Sequence, residues 1–319
     1  MTAKLTLFLG CVLFLFGCAD RNVSDDARLA GGIIEGEPLS PTNALNEVSQ
    51  QIVMLAFNYE YRDGEATFFG LCTAVVVNER TILTAAHCVE SGIDKVAILT
   101  STNPREQLRK KKDVYRAINY KIHDNYVPKK ELEEQLKQLT SDLEKSRALT
   151  RNADLALIYL DRPLEIKSAA PNTPPTFALS NQPLRLPKTV NTDIIVTGYG
   201  KTSALNDTSK IKYEDLNGIL KQAKLSIATS EFSRSGFFLE QWQAPGICNG
   251  DSGGPVFVKD FDGQYKVAAL AINVYEINNA ASRKLDPKDL YSTCAGHGLY
   301  LNLENYKSWI VKTAALLAQ

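Results

Sequence analysis

The sequence predicts an all-β protein built from two β-rich halves and closed by one C-terminal helix. Three observations carry this expectation. Short apolar runs rich in β-branched residues recur between polar turn residues along most of the chain. A proline-rich stretch from Pro163 to Pro187 separates those runs into two groups. Near the end the period changes, and Tyr306, Trp309, Ile310 and Thr313 fall on one face of a helix. With 319 residues the chain is long enough for two ordinary domains or two small barrels sharing one interface.

At the N-terminus Lys4 precedes an apolar stretch, Leu5 to Phe16, which has the length of a signal-peptide core and is too short to span a bilayer. It runs into Leu15-Phe16-Gly17-Cys18, which resembles the bacterial lipobox, where cleavage before cysteine is coupled to lipidation of its thiol. Residues 1–17 then form a signal peptide and Cys18 carries a lipid anchor; an ordinary signal peptide would export the protein equally. Residues 18–32 are polar, end in Gly31-Gly32, and read as a flexible tether or propeptide.

From Ile33 onward the predicted strands follow in order. In the first half they are Gln51–Phe57, Cys72–Val77, Thr81–Leu83, Val96–Leu99 and Leu155–Leu160. Beyond the prolines they are Asp193–Val196, Leu220–Ile227, Pro255–Val258 and Val267–Ile272. Between Pro128 and Arg151, Leu132, Leu136, Leu139 and Leu143 recur at heptad-like spacing, with Glu133 and Lys137 as an i,i+4 pair. Pro128 suits a helix start, so this segment predicts one inserted amphipathic helix of about four turns, its leucines packed on its own barrel. Val274–Thr293 reads as a long polar loop, and Arg109-Lys110-Lys111-Lys112 as a solvated basic loop.

Composition narrows the function. Lys and Arg number 36 against 36 Asp and Glu, so no global charge points to nucleic acid or an acidic partner. Setting aside Cys11 in the signal core and Cys18, the four cysteines Cys72, Cys88, Cys248 and Cys294 form an even set suited to an oxidising compartment. Four cysteines allow three pairings. Their spacing is not of the C-x-x-C kind, so no structural zinc site is implied, and no D-x-[DN]-x-[DN]-G run marks a calcium loop.

Gly250-Asp251-Ser252-Gly253-Gly254-Pro255 places a serine between glycines at a tight turn, where a bare hydroxyl and backbone N–H groups face the same reacting atom. Upstream, Leu83-Thr84-Ala85-Ala86-His87-Cys88 sets a histidine at the end of an apolar run, and Asn152-Ala153-Asp154-Leu155 an acid at the start of one. These motifs, in the order His, Asp, Ser, resemble the trypsin/chymotrypsin family of serine endopeptidases from about Ile33 to the C-terminus. The resemblance implies two antiparallel β-barrels of the chymotrypsin type with the active site between them. The first would span about residues 45–160, a linker 161–190, the second barrel 191–302 and the helix 303–317 of a peptidase domain over 33–319. Ser252 would be the nucleophile, His87 the general base and Asp154 its orienting acid, with Gly250 and Ser252 N–H groups as the oxyanion hole. The resemblance also selects the disulfides Cys72–Cys88 and Cys248–Cys294. It implies protein or peptide substrates and no cofactor or metal.

Two rivals stand beside this reading. An α/β-hydrolase order is met by Ser252, Asp286 and His297, but that elbow needs a strand before the serine and a helix after it, and a proline-opened extended run follows instead. A catalytically silent homologue acting as a binding or adhesion lipoprotein keeps the same residues. His123 is expected to be a satisfied loop histidine. By resemblance Gly246 forms the pocket base and Gly298 its wall; with no charge at either, the expected preference is an uncharged P1, apolar or aromatic, subject to where Asp286 and Asp289 fold. Ile33-Ile34-Glu35-Gly36 resembles the family's mature N-terminus, whose freed ammonium would pair with Asp251. Gly32 precedes it, so the activating protease would not be trypsin-like, and cutting there would free the domain from its lipid. In the opposing view no cut occurs, and the tethered form is inactive or works through another salt bridge.

Overall fold

The computed structural model describes residues 33, 36–39, 49–58, 60–62, 65–67, 70–102, 104–110, 114–165, 179, 192–201, 219–227, 235–241, 245–275, 294 and 296–319. The expected signal peptide, Cys18 and the tether lie outside them, as do most of the proline-rich linker and positions 276–293, Asp286 and Asp289 included.

In chain order the strands are β1 (Glu37–Pro38), β2 (Ile52–Phe57), β3 (Glu60–Arg62), β4 (Glu65–Thr67), β5 (Gly70–Asn78), β6 (Thr81–Thr84), β7 (Val96–Leu99), β8 (Tyr115–Ile122) and β9 (Ala156–Leu160). They continue with β10 (Thr192–Gly198), β11 (Lys221–Ile227), β12 (Gly236–Glu240), β13 (Pro255–Lys259), β14 (Tyr265–Tyr275) and β15 (His297–Asn302). Six of the first nine close a barrel in the order β2-β5-β6-β9-β8-β7, and β3 and β4 form a separate hairpin. The second unit is, among the described residues, a seven-stranded antiparallel sheet in the order β1-β11-β10-β13-β14-β15-β12.

Successive residues of the barrel strands serve two different cores. Val53, Leu55, Ala74, Val76, Ile82, Ile98 and Ile158 pack with one another in the first unit. Their neighbours Ile52, Met54, Val75, Leu83, Leu99 and Leu157 join a core that includes Tyr199, Phe257, Leu270 and Leu301 of the second sheet. Both faces of these strands are buried, which is why they read as continuous apolar runs and not as alternation. Each fully buried aliphatic side chain contributes about 1.5–3 kcal/mol, so the apolar interface holds the two units together.

The inserted segment differs from expectation. It forms two helices, α2 (Lys129–Gln138) and α3 (Asp142–Arg151), after an earlier short helix α1 (Pro104–Lys110). The break falls at Ser141, whose side chain accepts a hydrogen bond from Glu144 N–H, so Ser141 starts a new helix. The spacing Ser141-x-x-Glu144 is a helix-start pattern that the leucine heptad obscured. Leu132 is buried in the main core and Leu136 packs against it, as the leucine face suggested, whereas Leu143 is exposed and the second helix buries Leu149, which that face did not include. Helix α3 packs against β12 and β15, so the insertion joins the first barrel to the second sheet. In the basic run, Arg109 and Lys110 end α1, and residues 111–112 lie outside the described residues.

The chain ends in a 3-10 turn (Leu303–Tyr306) and helix α4 (Lys307–Leu317), which packs on β8 and β9. Tyr306, Ile310 and Thr313 are buried there, as the helical face required. His123, directly after β8, is clasped by this element: its ring meets Tyr306 edge-on at 5.2 Å and Trp309 at 4.8 Å, and Nδ1 accepts Asn125 N–H at 3.1 Å. Burial pushes its pKa below the ordinary value, against the pull of Asp124. The unfolded chain therefore takes up a proton near pH 6.5 that the folded protein resists, and stability present above that pH falls away as pH drops through it. Melting temperatures at pH 7.5 and 5.5 should show a larger acid loss in the native protein than in His123→Gln; equal losses would show that His123 is not part of this linkage.

Candidate active site

Strand pairing brings the histidine and the acid together. Strands β6 and β9 are antiparallel, with Thr84 opposite Ala156, so the residues just after β6 and just before β9 emerge at one end of the barrel. His87 follows in the 3-10 turn Ala86–Cys88, and Asp154 stands two residues ahead of β9. His87 Nδ1 lies 2.8 Å from Asp154 Oδ2, and the His87 backbone N–H donates to Oδ1 at 3.0 Å. The carboxylate thereby fixes both the imidazole and the backbone that carries it. The imidazole side chain is 23% exposed and the carboxylate 10%. Burial opposes charging of the ring, but Asp154 more than offsets this, and the His87 pKa lies above its ordinary value. Glu90 and Lys129 also act on it, with opposite signs. Glu90 accepts the Tyr126 hydroxyl at 2.6 Å, so the entry to the inserted helices borders the histidine.

The serine turn belongs to the second sheet but is held by the first barrel. Thr73 of β5 donates its N–H to Ser252 O at 2.9 Å and its hydroxyl to Gly250 O at 2.9 Å. The same hydroxyl accepts Tyr199 N–H at 3.1 Å, and Thr73 O accepts the Thr84 hydroxyl at 2.8 Å. Gly250 and Gly253 take φ values of +103° and +82°, the left-handed region that favours glycine. At Gly253 a Cβ would strike Thr84 Oγ1, Thr73 O and Ala85 N. The turn is thus pressed onto the barrel end that bears His87. Ser252 Oγ donates to Ile272 O at 2.9 Å; among the described residues this carbonyl, not His87, is its hydrogen-bond partner. Neither Gly250 N–H nor Ser252 N–H has an acceptor among the described residues.

Asp251 lies directly beneath, with no exposed surface. Its Oδ1 accepts Gly200 N–H and its Oδ2 accepts Cys248 N–H, each at 2.8 Å, and the Ile33 N–H is a third donor. Burial pushes its pKa up to about 7, against the three N–H donors and the charge of Lys221. Ile33 is fully buried. In the continuous chain its nitrogen is a peptide N–H and carries no charge.

Gly246 and Gly298 lie on either side of Gln241. A Cβ at either glycine would meet Gln241 Oε1, and one at Gly298 would also sit 3.1 Å from the Tyr300 hydroxyl. Gln241 is 4% exposed; its amide nitrogen donates to Ile247 O and Cys294 O, each at 2.6 Å, and its oxygen accepts Ile247 N–H at 3.1 Å. The room expected at Gly298 is therefore filled by an uncharged amide. The sequence reading missed Gln241, Thr73 and Lys221. A polar residue at the end of a strand, or one inside an apolar run, was the available signal.

Both expected disulfides are present. Cys72–Cys88 ties β5 to the turn carrying His87, and Cys248–Cys294 ties the serine turn to the segment before β15. Cys72, Cys88 and His87 come close enough to suggest metal ligands, but both sulfurs are bonded to each other and offer no thiolate. His297, the third member of the hydrolase alternative, opens β15 opposite Glu240, and strand β13 follows the serine where that alternative needs a helix.

Comparison with known proteins agrees with this architecture. The Trypsin family model matches residues 50–287. Serine proteinase stubble of Drosophila melanogaster is 26% identical over 226 residues, which are 64% of this chain and 24% of that protein. Serine protease grass of the same organism is 25% identical over an alignment covering 94% of this chain and 76% of that protein. The chain thus spans about a quarter of one relative and three quarters of the other. With the family model covering most of its length and all three motif segments, the chain belongs to the Trypsin family.

Proposed function

We propose that this protein is an exported serine endopeptidase that hydrolyses peptide bonds through an acyl-enzyme, with His87, Asp154 and Ser252 as its catalytic residues. The observation that carries the reading is the double hydrogen bond from His87 to Asp154, at 2.8 and 3.0 Å, beside a serine turn with two unengaged N–H groups. Substrate binding turns Ser252 Oγ from the Ile272 carbonyl toward His87. The oxygen then attacks the scissile carbonyl while His87 takes the proton, and Asp154 stabilises the imidazolium. The new oxyanion is received by Gly250 and Ser252 N–H. His87 returns its proton to the leaving amine, and water repeats the sequence on the ester. The paired cysteines accord with an oxidising compartment, and the Leu15–Cys18 segment supports export, with Cys18 as the lipid anchor.

The resting bond from Ser252 to Ile272 favours the second reading, a silent homologue that binds without cutting. A fluorophosphonate probe separates them, because it reacts only with an activated serine. Labelling of Ser252 is expected, and an unlabelled protein beside a reactive control protease would overturn the enzyme reading. Ser252→Ala, His87→Ala and Asp154→Asn should each lower peptide hydrolysis by about 10³–10⁴-fold or more, without adding when combined. Activity should fall as the medium is acidified through the His87 pKa, which lies above 6.5, because the base must be neutral to accept a proton.

For specificity, the neutral amide of Gln241 between Gly246 and Gly298 supports an uncharged P1 and sets the depth of the recess. A library varied at P1 should disfavour Arg and Lys, and Gln241→Gly should admit longer side chains than the native protein. A strong Arg or Lys preference would refute the neutral floor. An unchanged P1 profile in Gln241→Gly would refute its position in the pocket.

A further inference from the structure

The strand pairing beside the catalytic acid stops short of it. β8 and β9 pair as far as Ile122 and Ala156, and Asp154 lies beyond that last pair. The two chains stay linked: His123 N–H donates to Leu155 O at 3.0 Å, and Ala153 N–H to Asn125 O at 3.4 Å. The final link uses a side chain. Asn152, 7% exposed, turns its amide onto the Val127 backbone. Its Oδ1 accepts Val127 N–H at 2.8 Å, and its Nδ2 donates to Val127 O at 3.1 Å. A carboxamide offers an acceptor and a donor in one plane, as a peptide group does, and this double exchange is that of a hydrogen-bonded pair in an antiparallel ladder. Val127 stands just before Pro128 and helix α2, and Asn152 closes α3 by donating its own N–H to Ala148 O at 3.2 Å. One side chain thus ties the two ends of the inserted segment together.

We propose that Asn152 is a positioning residue for Asp154, its side-chain amide standing in for a peptide group so that the β8–β9 ladder runs past the acid to the root of the insertion. The inference rests on the peptidase reading and adds a residue outside its three catalytic ones. The path to the acid is one bond long. Asp154 N–H donates to Asn152 O at 2.9 Å, and Leu155 N–H to Ala153 O at 2.8 Å, two successive γ-turn bonds that fold the backbone tightly at the carboxylate. The amide clamp fixes the Asn152 backbone, and the Asn152 carbonyl fixes Asp154 N–H. The carboxylate is then aimed at both the His87 ring and the His87 N–H. Without the clamp, Val127 N–H and C=O lose these partners and residues 152–155 gain freedom. The two bonds to His87, which need one orientation of the acid, weaken together.

The test is steady-state peptide hydrolysis across pH by the native protein, Asn152→Ala, Asn152→Asp and Leu149→Ala. Leu149 is buried in the same insertion but takes no part in the clamp, so its variant reports what lost stability alone does. Asn152→Ala should lower kcat by about 10–100-fold with KM near native, the signature of a misplaced catalytic group. Burial lowers the His87 pKa, Asp154 and Glu90 raise it, and Lys129 lowers it. With the acid displaced, burial gains weight, and the acid limb of the rate profile should move to lower pH. Asn152→Asp keeps the shape and the acceptor for Val127 N–H but sets an oxygen against Val127 O; it should show the same shift, and it decides the matter where Asn152→Ala does not fold. Leu149→Ala should keep the native kcat and acid limb. Native values of both in a folded Asn152 variant would overturn the inference, as would equal changes in Leu149→Ala. If neither Asn152 variant folds, the residue serves folding alone and the inference fails. A native protein that neither cleaves peptides nor takes a fluorophosphonate would sink the peptidase reading itself, and the inference with it.

Discussion

The site depends on an interlock between two β units that share no strand. His87 and Asp154 come from the first barrel and Ser252 from the second sheet, so their meeting is an inter-unit contact before it is chemistry. Thr73 is the peg of that interlock. From the middle of an apolar strand it gives its N–H to Ser252 O and its hydroxyl to Gly250 O, and it receives Tyr199 N–H. Thr73, Gly250 and Tyr199 are buried, where an unmade hydrogen bond costs about 1–3 kcal/mol. The apolar interface supplies most of the attraction between the units, but it is non-directional; the threonine bonds fix the register of one unit on the other.

Two carboxylates near this interlock show how environment separates roles. Asp154 keeps some exposure and receives both its bonds from His87, so its effect is felt as orientation and charge on the imidazole. Asp251, three hydrogen bonds deep and dry, touches no imidazole and shapes backbone instead. Their neighbours differ accordingly. Glycines at 198 and 200 make the room that Asp251 occupies, whereas the space around Asp154 is set by strand ends.

Much of the fold was legible because its strands are apolar on both faces, and nine of the runs predicted as strands are strands. The short strands β1, β3 and β4 and the longer β8, β12 and β15 were not read. β8 (Tyr115–Ile122) is largely polar with only Tyr115 fully buried, and β15 begins at His297-Gly298, a poor strand opening. The inserted helix was read as one because leucine spacing outweighed the serine cap that divides it. Of the candidate site, the His, Asp and Ser segments announced themselves through small residues flanking a reactive one. Thr73, Gln241 and Lys221 did not, since their importance comes from what lies opposite them in space.

The terminal helix gives the molecule a closing order. Residues 303–319 follow all three motif segments in the chain, yet they seat on β8 and β9 of the first barrel and cover His123, whose backbone N–H donates to Leu155 O next to Asp154. A nascent chain long enough to contain His87, Asp154 and Ser252 still leaves that flank of the acid's strand bare. Contacts between segments so distant in sequence form late, after the loop-closure entropy has been met. Helix α4 thus serves as a latch on the first barrel: the acid's surroundings are completed only when that helix has docked.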